Sequence, residues 1–316
     1  MLRSLASLAP WQKLDQKPSS LPPRDGEPSR FGRFSARSLP AVTRGRRTSR
    51  QPASDRSRCA PTPTVPPVLT VTGRDVLFAH WPLDSAVVES RVPDALDVAT
   101  FDGSAWVSAL AIEVRGFGPG PVRLPRRLER GLPQLVFRTY VTLDGQLGVY
   151  FLSLDTGARL PAAVGRRAFG IPIHRASMRI TRRDETVTFR SRRDGDPPAV
   201  FHARYRPTGE PYRAEPDSFE AFGIEHFRYF LPADEDRRVG TGRRSGGGVR
   251  VGELDREPWD LRSVDATIRA NGLFEAADLP APTADPVVHY SPGFEMRVEP
   301  LRAASTTESG LRPDAK

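Results

Sequence analysis

The chain has 316 residues, enough for one large domain or two ordinary ones. Its net charge of +9 resides in residues 1–67, which hold 11 Arg and 2 Lys against 4 acids; the rest carries 34 basic and 34 acidic residues and is neutral. Cys59 is the only cysteine and lies in that leader, which excludes intrachain disulfides, thiolate zinc sites and a cysteine nucleophile from the remainder.

Residues 1–67 are rich in Pro, Ser and Arg without apolar periodicity, a composition that predicts disorder. The run Arg44-Gly45-Arg46-Arg47 offers charge for phosphates, but no aromatic residues are interleaved with it, so nucleic acid is disfavoured as a partner. A transit peptide fits the Arg- and Ser-rich, acid-poor composition yet lacks an amphipathic helix. A plain basic extension is the reading the composition favours. No stretch reaches the roughly 18 continuous apolar residues of a membrane span, and no secretory apolar segment follows Met1. The expected compartment is the cytoplasm, with no membrane partner.

Order is expected from Val68. Residues 75–82 read as a strand halted by Pro82, and Asp84 as the cap of a short helix reaching Arg91. Asp102-Gly103 marks a tight turn into a strand over 105–114, followed by a Gly/Pro/Arg-rich loop over 116–133. Two alternating, aromatic-rich runs then flank Asp144-Gly145, the strongest short hairpin signal.

Counting outward from that turn sets Leu143 opposite Gln146, Tyr140 opposite Val149 and Arg138 opposite Phe151. One face carries Leu135, Phe137, Thr139, Val141, Tyr150, Leu152 and Leu154, a core face. The other carries Val136, Arg138, Tyr140, Val149, Phe151, Ser153 and Asp155. It is too apolar for open solvent and too polar for plain core, as the wall of a partly polar cavity in a closed sheet would be.

After the hairpin, residues 156–169 read as a helix capped by Asp155 or Thr156, with Gly170 and Pro172 ending it. Short strands follow at 177–181, 186–192 and 200–206, then at 225–231, 249–254 and 263–270, with a loose tail after Pro300. Many short antiparallel strands with one or two helices predict an α+β, barrel-like domain over 68–300, a leader over 1–67 and a tail over 301–316.

Five segments occur in order: Phe78-Ala79-His80-Trp81-Pro82, Phe101-Asp102-Gly103-Ser104-Ala105-Trp106-Val107, Arg138-Thr139-Tyr140-Val141, 148–155, and Val288-His289-Tyr290-Ser291-Pro292-Gly293. Together they resemble the YqjF-like family, the domain of unknown function 2071, over about residues 70–300. Glu225-His226-Phe227 departs from the Glu-Arg-Tyr expected there. The resemblance implies an acetoacetate-decarboxylase-like, antiparallel β-barrel-like fold.

Decarboxylases of that fold form a Schiff base on a lysine after a Gly-Phe-Pro turn. The matching stretch here, Gly165-Arg166-Arg167-Ala168-Phe169-Gly170-Ile171-Pro172-Ile173-His174, puts Ile173 at the nucleophile position and His174 beside it. Independently of any resemblance, the chain's lysines are Lys13, Lys17 and Lys316, all in the tails. A Schiff base needs a desolvated amine of lowered pKa, and arginine cannot replace it because its guanidinium stays protonated. Imine decarboxylation is therefore not expected.

The five histidines form no His-x-His or His-Glu-x-x-His spacing, so no metal is expected and each reads as structural. Gly240-Thr241-Gly242-Arg243-Arg244-Ser245-Gly246 fails the dinucleotide fingerprint in spacing and context, and no cofactor is expected. Arg138 stands out among aromatic neighbours. It is either an anion-binding guanidinium in a cavity or a stem covering the outer wall with its head in water. The candidate ligand-binding residues are Arg138, Tyr140, Ser153, His174 and Glu225, for a small, anionic molecule. The competing expectation is a non-catalytic module with a filled barrel, in which Glu225 and Asp155 serve structural pairing and capping.

Overall fold

The computed structural model describes residues 69–119, 131–157, 171–195, 198–233 and 248–304. In chain order these form β1 (Leu69–Leu83), α1 (Ser85–Glu89), β2 (Asp97–Val98), β3 (Thr100–Phe101), β4 (Ser104–Pro119), β5 (Leu132–Leu143), β6 (Gln146–Thr156), β7 (Ile173–Arg175), β8 (Ser177–Arg183) and β9 (Thr186–Arg193). They continue with β10 (Ala199–Tyr212), α2 (Phe219–Gly223), β11 (Arg228–Pro232), β12 (Val249–Arg256), β13 (Leu261–Asn271), α3 (Leu273–Ala276), β14 (Val287–Val298) and β15 (Arg302–Ala303). No helix among the described residues is long and apolar enough to cross a membrane.

Local chemistry explains the punctuation. Asp102-Gly103 and Asp144-Gly145 all have positive φ, the mirror-image turn that matches strand twist. The Asp84 side chain accepts from Ala86 N–H at 2.8 Å and starts α1. Ser218 does the same for Ala221 N–H at 3.1 Å and starts α2.

The strands run in the order β12-β11-β6-β5-β4-β1-β14, and β12 pairs again with β14, so seven strands close into a ring. Most pairings are antiparallel, but β6 runs parallel to both β11 and β7, so the sheet is mixed rather than wholly antiparallel. Beyond β14 the path leaves the ring as β13-β10-β9-β8. This second layer buries Val187, Phe189, Phe201 and Tyr205 with Leu77, Ala79, Ala109, Leu135 and Phe137 of the ring's outer face. At ~25 cal/mol per Å², each large side chain enclosed there stabilises the fold by roughly 1.5–3 kcal/mol.

Asp75, at φ 52, ties the two layers together. Its carbonyl accepts from Tyr205 at 2.7 Å, and its carboxylate accepts from Tyr290 at 2.8 Å and from Arg182 Nε at 2.7 Å. The ladder to β14 passes from Arg74–Gly293 to Val76–Ser291 without pairing Asp75, so Pro292, which lacks an N–H, meets the irregular residue.

The hairpin register follows the count from the turn as far as Arg138–Phe151. There a bulge sets both Leu152 and Ser153 against Phe137, and beyond it Leu154 faces Val136 and Asp155 faces Leu135. The expected faces are thus exchanged past the bulge: Ser153 and Asp155 leave the Arg138 face and Leu154 joins it. Asp155 is no helix cap but a buried strand residue 3.5 Å from Arg193, and burial pushes its carboxyl up to about 6.

Several extents differ from expectation. β4 runs to Pro119 and β5 begins at Leu132, so the loop expected over 116–133 is partly strand. Residues 225–227 precede β11 rather than belonging to it, and Arg302–Ala303 pairs with β12 in what was expected to be a loose tail. Of the helix expected over 156–169, Thr156 instead ends β6 and the rest from 158 lies outside the described residues, as do the leader and the loop at 240–247.

Candidate functional site

Alternation along three neighbouring strands decides what faces the ring interior. Val76, Phe78 and His80 of β1, Ser108, Leu110 and Ile112 of β4, and Val136, Arg138 and Tyr140 of β5 point inward, since their odd–even partners fill the outer core. His80 pairs with Ser108 and Ser108 with Arg138, so an imidazole, a hydroxyl and a guanidinium stand in one row across the wall. β14 adds His289, paired with Phe78. The segment from α2 into β11 enters the interior and brings Gly223, Ile224 and His226.

Arg138 is only 8% exposed, which rules out the outer-wall alternative. Its Nε donates to Ser108 Oγ at 3.3 Å and its Nη2 to the Gly223 carbonyl at 3.3 Å. The guanidinium carbon lies 5.9 Å from the Tyr140 ring centroid. Neutral oxygens are its only hydrogen-bond partners, and no carboxylate forms an ion pair with it among the described residues. Burial pulls its pKa down, yet a guanidinium remains a cation.

Tyr140 is fully buried, and its hydroxyl donates to the Gly223 carbonyl at 2.8 Å. The same oxygen lies 2.9 Å from His80 Nδ1. His226 stacks on the Tyr140 ring at 5.0 Å, and His289 meets His80 edge-on at 5.8 Å. His289 Nε2 sits 3.2 Å from Glu220 Oε1. Burial holds the His80 and His226 pKa values well below the usual imidazole value; His289 is also lowered by burial, against the pull of Glu220. All three rings are therefore neutral near pH 7, beside an obligate cation. Among the described residues, no three His, Cys, Asp or Glu side chains are placed to hold a metal ion.

Of the five sequence-predicted site residues, the structure brings Arg138 and Tyr140 together and disperses the rest. Ser153 lies across the sheet beside Phe137 because of the bulge. His174 pairs with Asp155 on the outer side of β7, while Ile173 enters the inner core. Glu225 is taken by Arg256, 3.0 Å away, and accepts from Trp259 N–H at 2.7 Å, which bears out the structural pairing weighed for it.

Sequence reasoning missed His80, Ser108, His226 and His289 at the site. Two of them stood in the segments that carried the family resemblance. Period-two alternation from Phe78 already placed His80 on the Phe78 side of its strand.

The DUF2071 family model, described as an uncharacterized conserved protein, matches residues 70–295. The chain is 33% identical over 237 residues to the uncharacterized protein YqjF of Bacillus subtilis (strain 168), covering 74% of this chain and 92% of that one. Acetoacetate decarboxylase from Legionella pneumophila superposes with a TM-score of 0.52 at 12% identity, over 79% of this chain and 94% of that one. The enduracididine biosynthesis enzyme MppR complexed with pyruvate gives 0.52 at 10% identity, over 77% and 92%. At such identities the two structures establish a shared acetoacetate-decarboxylase-like fold and nothing finer.

Proposed function

The chain belongs to the DUF2071 (YqjF-like) family, and from that premise we propose that it binds a small anionic molecule inside the ring, at Arg138, without Schiff-base chemistry. One observation carries the reading: a buried guanidinium whose partners among the described residues are the Ser108 and Tyr140 hydroxyls and the Gly223 carbonyl, with no carboxylate. Removing a cation from water is costly unless a counter-charge meets it, and a carboxylate or phosphate matches the guanidinium fork. Tyr140, kept protonated by burial, is a second donor for the same anion.

The Schiff-base exclusion rests on residues. Ile173, at the position of the decarboxylases' lysine, is packed with Val136, Leu154 and Ile224, and the chain has no lysine between Lys17 and Lys316. The expected compartment is the cytoplasm, consistent with a cysteine-poor chain.

A second reading, a structural module with a packed interior, draws on the rings of Phe219, Phe222 and Trp259, which fill space around the same residues. A thermal-shift screen of small carboxylates and phosphates on the full chain separates the two. Stabilisation by an anion supports the first reading, and no response supports the second. Borohydride trapping with acetoacetate is expected to leave residues 68–300 unlabelled; an adduct there would overturn the mechanistic half.

A further inference from the structure

The ring interior holds more hydrogen-bond acceptors than the protein uses. His80, His226 and His289 each pair one ring nitrogen and leave the other buried without a partner among the described residues: Nε2, Nε2 and Nδ1. The paired nitrogens fix the tautomers. The Gly223 carbonyl has only lone pairs to offer, so the single Tyr140 hydroxyl proton points at it, and His80 Nδ1 must bring its own proton to the Tyr140 oxygen. His226 donates to the Phe222 carbonyl. His289 Nε2 donates to Glu220, whose carboxyl is held ionised. In neutral rings the three remaining nitrogens are therefore lone-pair acceptors.

These acceptors gather around the Arg138 site. A chain of contacts links them: His80 Nδ1 lies 2.9 Å from Tyr140 Oη, Tyr140 Oη 2.8 Å from Gly223 O, and Gly223 O 3.3 Å from Arg138 Nη2. A ligand at that carbonyl position meets the forked cation, with the His80 and His226 rings 6.5 and 5.0 Å from the Tyr140 ring and the His289 ring 5.8 Å from that of His80. The Phe219 ring covers His80 at 5.2 Å and His289 at 6.3 Å, and Phe222 covers Tyr140 at 4.9 Å. The ligand is therefore seated with the α2 rings displaced, its own oxygen replacing that of Gly223.

Resting on the anion-site reading of Arg138, we infer that the ligand is a small hydroxycarboxylic acid, whose carboxylate takes the Arg138 guanidinium and whose hydroxyl donates to a free imidazole nitrogen, His80 Nε2 first. A keto acid fits less well, because its carbonyl adds an acceptor to a site already rich in them. An amino acid brings an ammonium beside an uncompensated guanidinium. An unsubstituted acid leaves the imidazole nitrogens unpaired.

Calorimetric titration of the full chain with propionate, lactate and pyruvate, and with butyrate, 3-hydroxybutyrate and acetoacetate, tests the assignment. Each hydroxy acid is expected to bind about tenfold or more tightly than the other members of its set, since a site built for a hydroxyl rejects analogues lacking it. His80→Phe keeps the ring's bulk and is expected to erase that preference while carboxylates still bind. The wild-type ranking decides even if this variant does not fold. Equal affinities within a set overturn the hydroxy-acid assignment and leave the anion site standing. Failure of every acid to bind overturns both. A nitrogen NMR shift of His80 Nε2 on adding lactate, of the sign expected for a new donor, supports the inference; an unmoved signal under saturating lactate overturns it.

Discussion

Arg138 hydrogen-bonds Ser108 directly across the β4–β5 ladder, Nε to Oγ at 3.3 Å, while Ser108 stands opposite His80 on the neighbouring strand. Strand register alone therefore sets a cation, a hydroxyl and a neutral imidazole side by side on an inner wall. Among the described residues no carboxylate completes the row, and that imbalance is the basis of the proposed anion site.

Two buried arginines are expected to respond oppositely to truncation. Arg256 is paired with Glu225 at 3.0 Å and donates to the carbonyls of His226 and Ile224. Arg256→Met strands that carboxylate and is expected to cost about 3 kcal/mol, the usual result of breaking a buried pair from one side. Arg138→Met removes a cation with no counter-charge, so its cost is expected to stay within about 1 kcal/mol or to become a gain. Urea denaturation of the two variants beside wild type measures both; an equal loss in each would contradict the uncompensated state of Arg138.

Stability is expected to fall on acidification. His80, His226 and His289 have folded pKa values below the ordinary imidazole value of 6.5, so the unfolded chain takes up protons first as the pH drops. Their contribution is complete above about pH 6.5 and is lost as the pH falls toward the folded values. Asp155 acts with the opposite sign: its folded pKa, raised to about 6 from 3.8, gives a contribution present at low pH and lost as the pH rises through that interval. Three groups outweigh one. Urea midpoints should be level from pH 8 to 7 and decline by pH 5.5, with a steeper decline in Asp155→Asn. A midpoint unchanged between pH 7.5 and 5.5 would contradict neutral buried histidines.

Closure of the ring depends on a close approach at Gly293. A Cβ there would sit 2.6 Å from the Gly73 carbonyl, a backbone atom with no rotamer to escape into. Gly293→Ala is expected to push β14 from β1 and to cost about 1–3 kcal/mol, read as a lowered melting temperature. A variant as stable as wild type would show that the two strands have room to separate.

How much of this was legible in the residues depended on whether one element or several decided the outcome. The β5–β6 pairing followed from Asp144-Gly145, whose turn geometry fixes register locally. The bulge at Leu152 and Ser153 carries no local signal, and it moved Ser153 and Asp155 to the far face. Glu225 was a plausible cavity residue until Arg256, 31 positions away, supplied its partner. α2 is five residues long, too short for a helical period, yet it brings Gly223 to both Arg138 and Tyr140. β14 was not expected as a strand; it holds Pro292, and the irregularity at Asp75 accommodates it. The family segments identified the scaffold, and two of their histidines proved to be site residues whose meeting required the closed ring.

The proposed anion site rests on the Arg138 guanidinium. The most direct test is the melting temperature of the full chain with millimolar lactate, other small carboxylates or phosphate, for wild type and Arg138→Met. A concentration-dependent rise is expected with at least one anion in wild type, as preferential binding to the folded state requires, and none in the variant. No rise with any of these anions, or the same rise in Arg138→Met, would contradict it.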